Sequence, residues 1–309
     1  MNRYRKIAAS SLGAVFLLVA IGGLVRATKS GLGCGENWPD CPGEVSRALL
    51  IESSHRFVAG VVVILLAALA VTAVRNRKVA PQLLWPSIAA FILVLFQALL
   101  GAVVVWLSLR AESVVLHLAT AMALFALLIY LTATSYALDR PTEASAEDGG
   151  LARRAQAVAG LVLALLLIGS YVTGRDAGYV FDDWPLMGGR VIPDLAVEAH
   201  AIHFLHRALA GVTGIVLFLF AVAVIKRKDE LPQQARLAHI AVGAFGVEVL
   251  VGAANVWTKL NPAVVTLHLA LGAAVFGSLA ALAVISRPAL RPTTEQSSAK
   301  SLPALEGSR

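Results

Sequence analysis

Eight runs of apolar residues dominate the sequence, at roughly 7–25, 55–74, 87–107, 114–136, 155–173, 204–225, 237–257 and 264–285. Each is close to the ~20 residues that carry a helix across a bilayer, and none shows the alternation of a barrel strand. A chain built this way has few options, because every peptide group inside lipid must find its hydrogen bond within the spanning element. The expected fold is an all-α membrane protein with eight transmembrane helices. Composition agrees, with 58% of residues hydrophobic and 15% charged, against about 25% charged in soluble domains. The net charge of +7 does not mark a nucleic-acid binder, since the basic residues gather beside the apolar runs, as the positive-inside rule produces.

Those basic clusters set the expected topology. They lie at Arg3, Arg5 and Lys6, at Arg75, Arg77 and Lys78, at Arg153 and Arg154, at Lys226, Arg227 and Lys228, and at Arg287 and Arg291. Both termini are therefore expected in the cytoplasm, with the chain integral to a bacterial-type plasma membrane. Two long loops, about 27–54 and 174–203, then face outward. The first run begins like a secretory signal peptide, but it is long and lacks a small-residue cleavage pattern, so it reads as a retained span. Residues 139–152, with Pro141, Ser145, Gly149 and four acidic groups, read as a cytoplasmic linker, and residues 288–309 as a disordered cytoplasmic tail.

Subtracting positions exposes a duplication. His206 and His55, Arg207 and Arg56, Gly211 and Gly60, Gly252 and Gly101, Trp257 and Trp106, and His268 and His117 are all 151 apart. Ile21, Val25, Gly31 and Trp38-Pro39 recur as Ile168, Val172, Gly178 and Trp184-Pro185, at offsets of 147 and then 146. The chain reads as two four-helix units, residues 1–138 and 153–287. Four is even, so both units enter the membrane from the same side. They are expected as two four-helix bundles related by a pseudo-twofold axis along the membrane normal.

Of the seven histidines, four belong to the repeat, and all four fall at the outer ends of even-numbered spans. Each unit thus brings two imidazoles to one depth on two parallel helices, which lets a bundle hold a planar metallocofactor. A haem iron takes one or two axial side chains, and neutral imidazole is a common one. Gly60, Gly101, Gly211 and Gly252 leave room for close approach of a flat macrocycle. A single histidine at a helix end is more often an interfacial polar group, but a duplicated pair at matched depths is not explained that way. His55, His117, His206 and His268 are therefore candidate haem ligands, giving two sites. His200, His203 and His239 have no repeated counterpart and read as surface or structural residues.

Arg56 and Arg207 follow a histidine in each unit. A guanidinium there either grips a haem propionate or snorkels to the interface, and the sequence does not choose. The units differ at Glu52, three residues before His55, because the residue 151 further on is His203. Residues at i and i+3 share a helix face, so Glu52 is a candidate to abstract protons or orient water beside one site only. The alternative is an exposed loop acid. Cys34 and Cys41 lie in the first outer loop, where thiols oxidise, and lack the CxxC spacing of zinc or covalent haem sites. They are expected as a disulfide, either a staple or a redox pair. Gln97 and Glu248 also share the offset of 151. Glu248 falls near mid-membrane and needs a partner or a proton, for packing or for proton transfer.

Taken in order, Cys34 and Cys41, Glu52-Ser-Ser-His55-Arg56, Gln97 through Gly101, Leu116-His117, His206-Arg207 and Leu267-His268 resemble the haem A synthase family, over about residues 13–286. The resemblance implies two pseudo-symmetric bundles, with haem b as cofactor on His206 and His268. It implies that haem O is handled in the amino-terminal half, where His55 and His117 line the substrate site and Glu52 is the acid needed for activity. The cysteine pair matches members that carry a loop disulfide. The implied reaction oxidises the C8 methyl group of haem O to a formyl group, by successive hydroxylations and loss of water, giving haem A for terminal cytochrome oxidase. Haem O synthase, an electron donor and membrane lipid are the implied partners. Two rival readings are a di-haem b-type electron-transfer cytochrome, which would use both sites alike, and a haem transporter or delivery protein, which parallel repeats would also suit.

Overall fold

The computed structural model describes residues 1–138 and 149–287. Most of the expected linker and all of the expected tail at 288–309 lie outside the described residues. Among those described, eight α-helices follow one another: α1 Asn2–Ala27, α2 Arg47–Arg75, α3 Leu84–Trp106, α4 Ala111–Ala137, α5 Gly149–Gly174, α6 Glu198–Ile225, α7 Pro232–Trp257 and α8 Pro262–Ile285. All eight are long and apolar enough to cross a membrane. No strand occurs among the described residues beyond an isolated bridge between Met187 and Arg190.

Most of the helices extend past their apolar runs. α2 begins at Arg47, well before His55, because the Ser46 side chain accepts a hydrogen bond from the Leu49 N–H at 3.1 Å and caps the first turn. α7 and α8 open on Pro232 and Pro262, where the missing N–H would have had no helical partner anyway. α5 starts at Gly149, so residues 149–152, which composition places in the linker, are helical. The reason is packing: Leu151 is buried in a cluster with Ala155, Val224, Leu231 and Leu282.

Within residues 1–138, α1 packs on α2, α2 on α3, α3 on α4 and α4 on α1; within 149–287 the same cycle joins α5, α6, α7 and α8. In each unit the two even-numbered helices therefore face one another across a diagonal. The units meet through α1–α8, α4–α5 and α4–α8. Lipid offers helices no hydrophobic drive to associate, so such seams depend on small residues that let neighbours close in. A Cβ added to Gly23 of α1 would stand 2.9 Å from Leu269 Cδ2 of α8, and one added to Gly277 of α8 would stand 2.9 Å from Phe125 Cε1 of α4.

The two long loops lie at one end of the molecule. Each contains a cis Trp–Pro bond, Trp38–Pro39 and Trp184–Pro185. In each unit the loop tryptophan meets the tryptophan that ends the third helix edge to face: Trp38 on Trp106 at 6.4 Å between ring centres, Trp184 on Trp257 at 6.0 Å. At the other end, Tyr4 and Ser87 share a hydrogen bond of 2.8 Å that ties α1 to α3.

Candidate functional site

The helices fix the depth of the repeated histidines. α2 and α6 begin at 47 and 198, and α4 and α8 at 111 and 262. His55 and His206 thus lie eight residues in, about 12 Å, and His117 and His268 six residues in, about 9 Å, at 1.5 Å per residue. All four stand just below the loop-bearing end. Each ring also lies against a glycine of the preceding helix. A Cβ on Gly22, Gly101, Gly169 or Gly252 would come within 3.3, 3.4, 3.0 and 3.1 Å of Cε1 of His55, His117, His206 and His268 respectively. Nδ1 of each ring is buried and makes no hydrogen bond, while each residue keeps part of its surface accessible. With Nδ1 and Cε1 turned inward, the edge left for a ligand is the one bearing Nε2.

In the second unit the rings of His206 and His268 are 6.5 Å apart between centres and nearly perpendicular, at 83°. Two imidazole–metal bonds of roughly 2 Å, with the reach from each ring centre to its nitrogen, come to about 6 Å. In the second unit that spacing and the inward-turned Nδ1 atoms fit a metal centre held between two imidazoles on diagonal helices. Two of the expected glycines, Gly101 and Gly252, face the rings directly. Gly60 and Gly211 do not, having nothing within 4 Å of an added Cβ. Gly22 and Gly169 take that place instead. Extending the Ile21–Ile168 match by one residue finds them.

Above the histidines, each arginine holds its loop. Arg56 Nη1 donates to the carbonyls of Asn37, Pro39 and Asp40 at 2.9, 3.2 and 2.8 Å, and its Nη2 donates to Glu52 Oε1. Glu52 Oε2 accepts the backbone N–H of Cys34 at 2.8 Å, and Cys34 is bonded to Cys41. Glu52 is 4% exposed, so it is a buried helical residue and not a loop acid. Arg207 Nη1 donates to the carbonyls of Asp183 and Leu186 at 3.2 and 2.8 Å, and its Nε donates to His203 Nε2 at 2.8 Å. His203 Nδ1 lies 2.7 Å from the Ala177 carbonyl. A carbonyl only accepts, so Nδ1 carries the proton and Nε2 is the acceptor for Arg207. His203 is therefore a structural residue, as its lack of a counterpart suggests, occupying the place Glu52 holds in the other unit.

The second loop has its own fastening. Gly188 and Gly189 turn through φ of 63° and 72°, a region glycine enters without strain. Their N–H groups donate to Asp183 Oδ1 and Oδ2, both at 2.8 Å. The Gly189 N–H first, and the Gly188 N–H next, hold the Asp183 carboxyl below its ordinary range. The ring of His200 packs tilted against Phe181 at 4.8 Å between centres, while His239 bonds the Ala235 carbonyl at 2.9 Å.

One turn deeper, Gln97 Nε2 donates to the His117 backbone carbonyl at 2.8 Å, and its Oε1 accepts from the Thr120 hydroxyl. Its counterpart Glu248 instead places Oε1 3.1 Å from Nδ1 of His268. The partner that an acid in a span requires is thus a candidate ligand's ring.

Comparison with known proteins shows the family. The model of the COX15-CtaA family, described as cytochrome oxidase assembly protein, matches residues 5–50, 44–280 and 198–304. A protein named Heme A synthase from Shouchella clausii is 30% identical over 254 residues, covering 78% of this chain and 84% of that one. Those of the same name from Halalkalibacterium halodurans and Lysinibacillus sphaericus are 32% and 29% identical, over 74% and 90% of this chain and 78% and 94% of theirs. The chain is an integral membrane protein, and it belongs to the cytochrome oxidase assembly family that includes the haem A synthases.

Proposed function

We propose that the protein is an enzyme of haem A biosynthesis that oxidises the C8 methyl group of haem O to a formyl group. The observation that carries this reading is the unequal use of a duplicated scaffold: two matched histidine pairs, with a buried carboxylate, Glu52, above one pair and a neutral acceptor, His203, above the other. In this reading residues 1–138 form the substrate unit and residues 153–287 the cofactor unit, related by a twofold axis along the membrane normal. Both termini are cytoplasmic and the histidines lie toward the outer side, as the basic clusters support.

His206 and His268 hold haem b, and their 6.5 Å ring separation supports that assignment. Bound there, haem b supplies one-electron redox chemistry. His55 and His117 face haem O, and Gly22 and Gly101 keep the ring walls flat. Turning a methyl into a formyl group with water as the oxygen source takes up one water and releases four electrons and four protons, so the reaction requires an electron acceptor as well as a path for protons. Glu52 handles the protons: each of its oxygens accepts one hydrogen bond here and keeps a second lone pair. Arg56 and Arg207 fix the loops above the sites and hold the propionate side of each macrocycle.

The test is to express the chain in a host that makes haem O but no haem A, then extract the haems and identify them by mass. Haem A is expected. Haem b alone, in both units, would instead favour the electron-transfer cytochrome, and unaltered haem O would favour a carrier.

A further inference from the structure

Among the described residues Glu248 is the acid that lies deep in a span against a candidate ligand. Its side chain is 11% exposed, and Oε1 stands 3.1 Å from His268 Nδ1. The two are in contact but not aligned as a hydrogen bond. Neither Nδ1 nor the buried Oε2 of Glu248 has another hydrogen-bond partner. A carboxylate in such a place is costly unless it is paired, and packing alone does not call for it, since the matching residue Gln97 bonds the backbone carbonyl of His117 and the hydroxyl of Thr120 and leaves the ring alone. Leu271, at the offset of 151 from Thr120, carries no hydroxyl. The second unit thus lacks the polar group that keeps Gln97 turned from its histidine.

We infer that Glu248 is a positioning residue for the cofactor of the second unit: it takes the Nδ1–H of His268, orients the ring for ligation through Nε2 and favours the ferric over the ferrous state of the iron. A histidine that binds a metal through one nitrogen commonly donates the other N–H to a carboxylate, which fixes its tautomer and makes it a stronger donor. A stronger, more anionic ligand set stabilises the more positive iron. The first unit has no such carboxylate at its ring, so the two sites differ in potential although their histidines match. The asymmetry suits one site that passes electrons and another that holds a substrate.

This inference rests on the reading of His206 and His268 as ligands. The experiment uses purified full-length protein carrying its haem b, titrated by spectroelectrochemistry, for the native chain, Glu248→Gln and Glu248→Asp. Glu248→Gln is expected to raise the midpoint potential by the equivalent of about a tenfold change in the ferric-to-ferrous preference, 59 mV for one electron. Glu248→Asp, which keeps the charge, should stay closer to the native value. A native potential in Glu248→Gln, or an equal shift in both variants, overturns the proposal. If Glu248→Gln is recovered without haem, its affinity is measured by adding haem b to the apoprotein. Binding weakened 10- to 100-fold, with recovery in Glu248→Asp, supports the role, and equal weakening in both overturns it. His268→Ala separates the two readings: haem b absorbance that survives it refutes the ligand assignment, whereas a lost absorbance with an unchanged Glu248→Gln potential refutes the role of Glu248 alone.

Discussion

Arg56 reaches back one turn along α2 to rest on Glu52, and the same carboxylate takes the backbone N–H of Cys34. The acid therefore joins helix, arginine and disulfide loop into one charged cluster above His55. Glu52→Gln keeps an oxygen acceptor and an amide of similar size but loses the charge. We expect a folded protein with its loop loosened by about 1.5–3 kcal/mol, the range for hydrogen bonds to charged groups. Haem b should be retained, and conversion of haem O should fall roughly 100- to 10,000-fold. Haem extraction from a host with no other source of haem A measures this. Normal haem A output there would leave Glu52 as a loop anchor alone.

His203 holds the matching place in the second unit with the opposite polarity, donating to a loop carbonyl where Glu52 accepts from a loop N–H. Glutamate at 203 would set a carboxylate against the Ala177 carbonyl, two acceptors facing each other, at a cost of about 1–3 kcal/mol. Glutamine can donate to Ala177 and accept from Arg207. His203→Glu should accordingly lose haem absorbance on heating well before His203→Gln does. The reverse order would show that the pair with Arg207 outweighs the bond to the loop.

Much of this was legible in the sequence because duplication copies geometry as well as residues. The offset of 151 places Trp106 and Trp257, Gly101 and Gly252, and the paired histidines at equivalent positions on their helices, and apolar length alone finds eight helices. The contacts of Arg56 and Arg207 were not legible. Propionate grip and interfacial snorkelling are the alternatives that the sequence offers, and neither anticipates the loop carbonyls that only the folded backbone brings to the two guanidinium groups. Composition likewise misses the start of α5, because Gly149 and Gly150 read as linker until Leu151 finds its cluster. Hydrophobic pattern sees burial of side chains, not the use of backbone acceptors.

Asp183 gives the second loop a pH dependence whose sign follows from its partners. Two glycine N–H groups favour the ionised carboxyl and lower its pKa in the folded chain. The stabilisation is complete above the ordinary carboxylate range and is lost as pH falls through the lower, folded value. Limited proteolysis between Asp183 and Arg190 should therefore stay slow near neutrality and accelerate in acid. Asp183→Asn should be cut faster at neutral pH and show no such step. An acid step that persists in Asp183→Asn would assign it to another group.

The glycine walls yield the sharpest distinction between packing and ligand geometry. Gly169 stands closest to its histidine, a Cβ there meeting His206 Cε1 at 3.0 Å, whereas Gly243 on α7 has nothing within 4 Å. Alanine is the better helix former by up to about 1 kcal/mol, so by propensity alone both substitutions should be neutral or stabilising. Gly169→Ala, however, must push the imidazole away, and an imidazole moved by a few tenths of an ångström no longer meets its partner ring at the spacing a shared metal needs. We expect Gly169→Ala to remain folded, to shift the b-type absorbance and to retain haem about tenfold less well, while Gly243→Ala matches the native chain. Gly22→Ala, with 3.3 Å to His55 Cε1, should spare that absorbance and lower conversion of haem O instead, because it disturbs the other pair. Identical haem content and spectra for Gly169→Ala and Gly243→Ala would mean that His206 does not depend on its glycine wall, and the division of labour between the two histidine pairs would lose its geometric support.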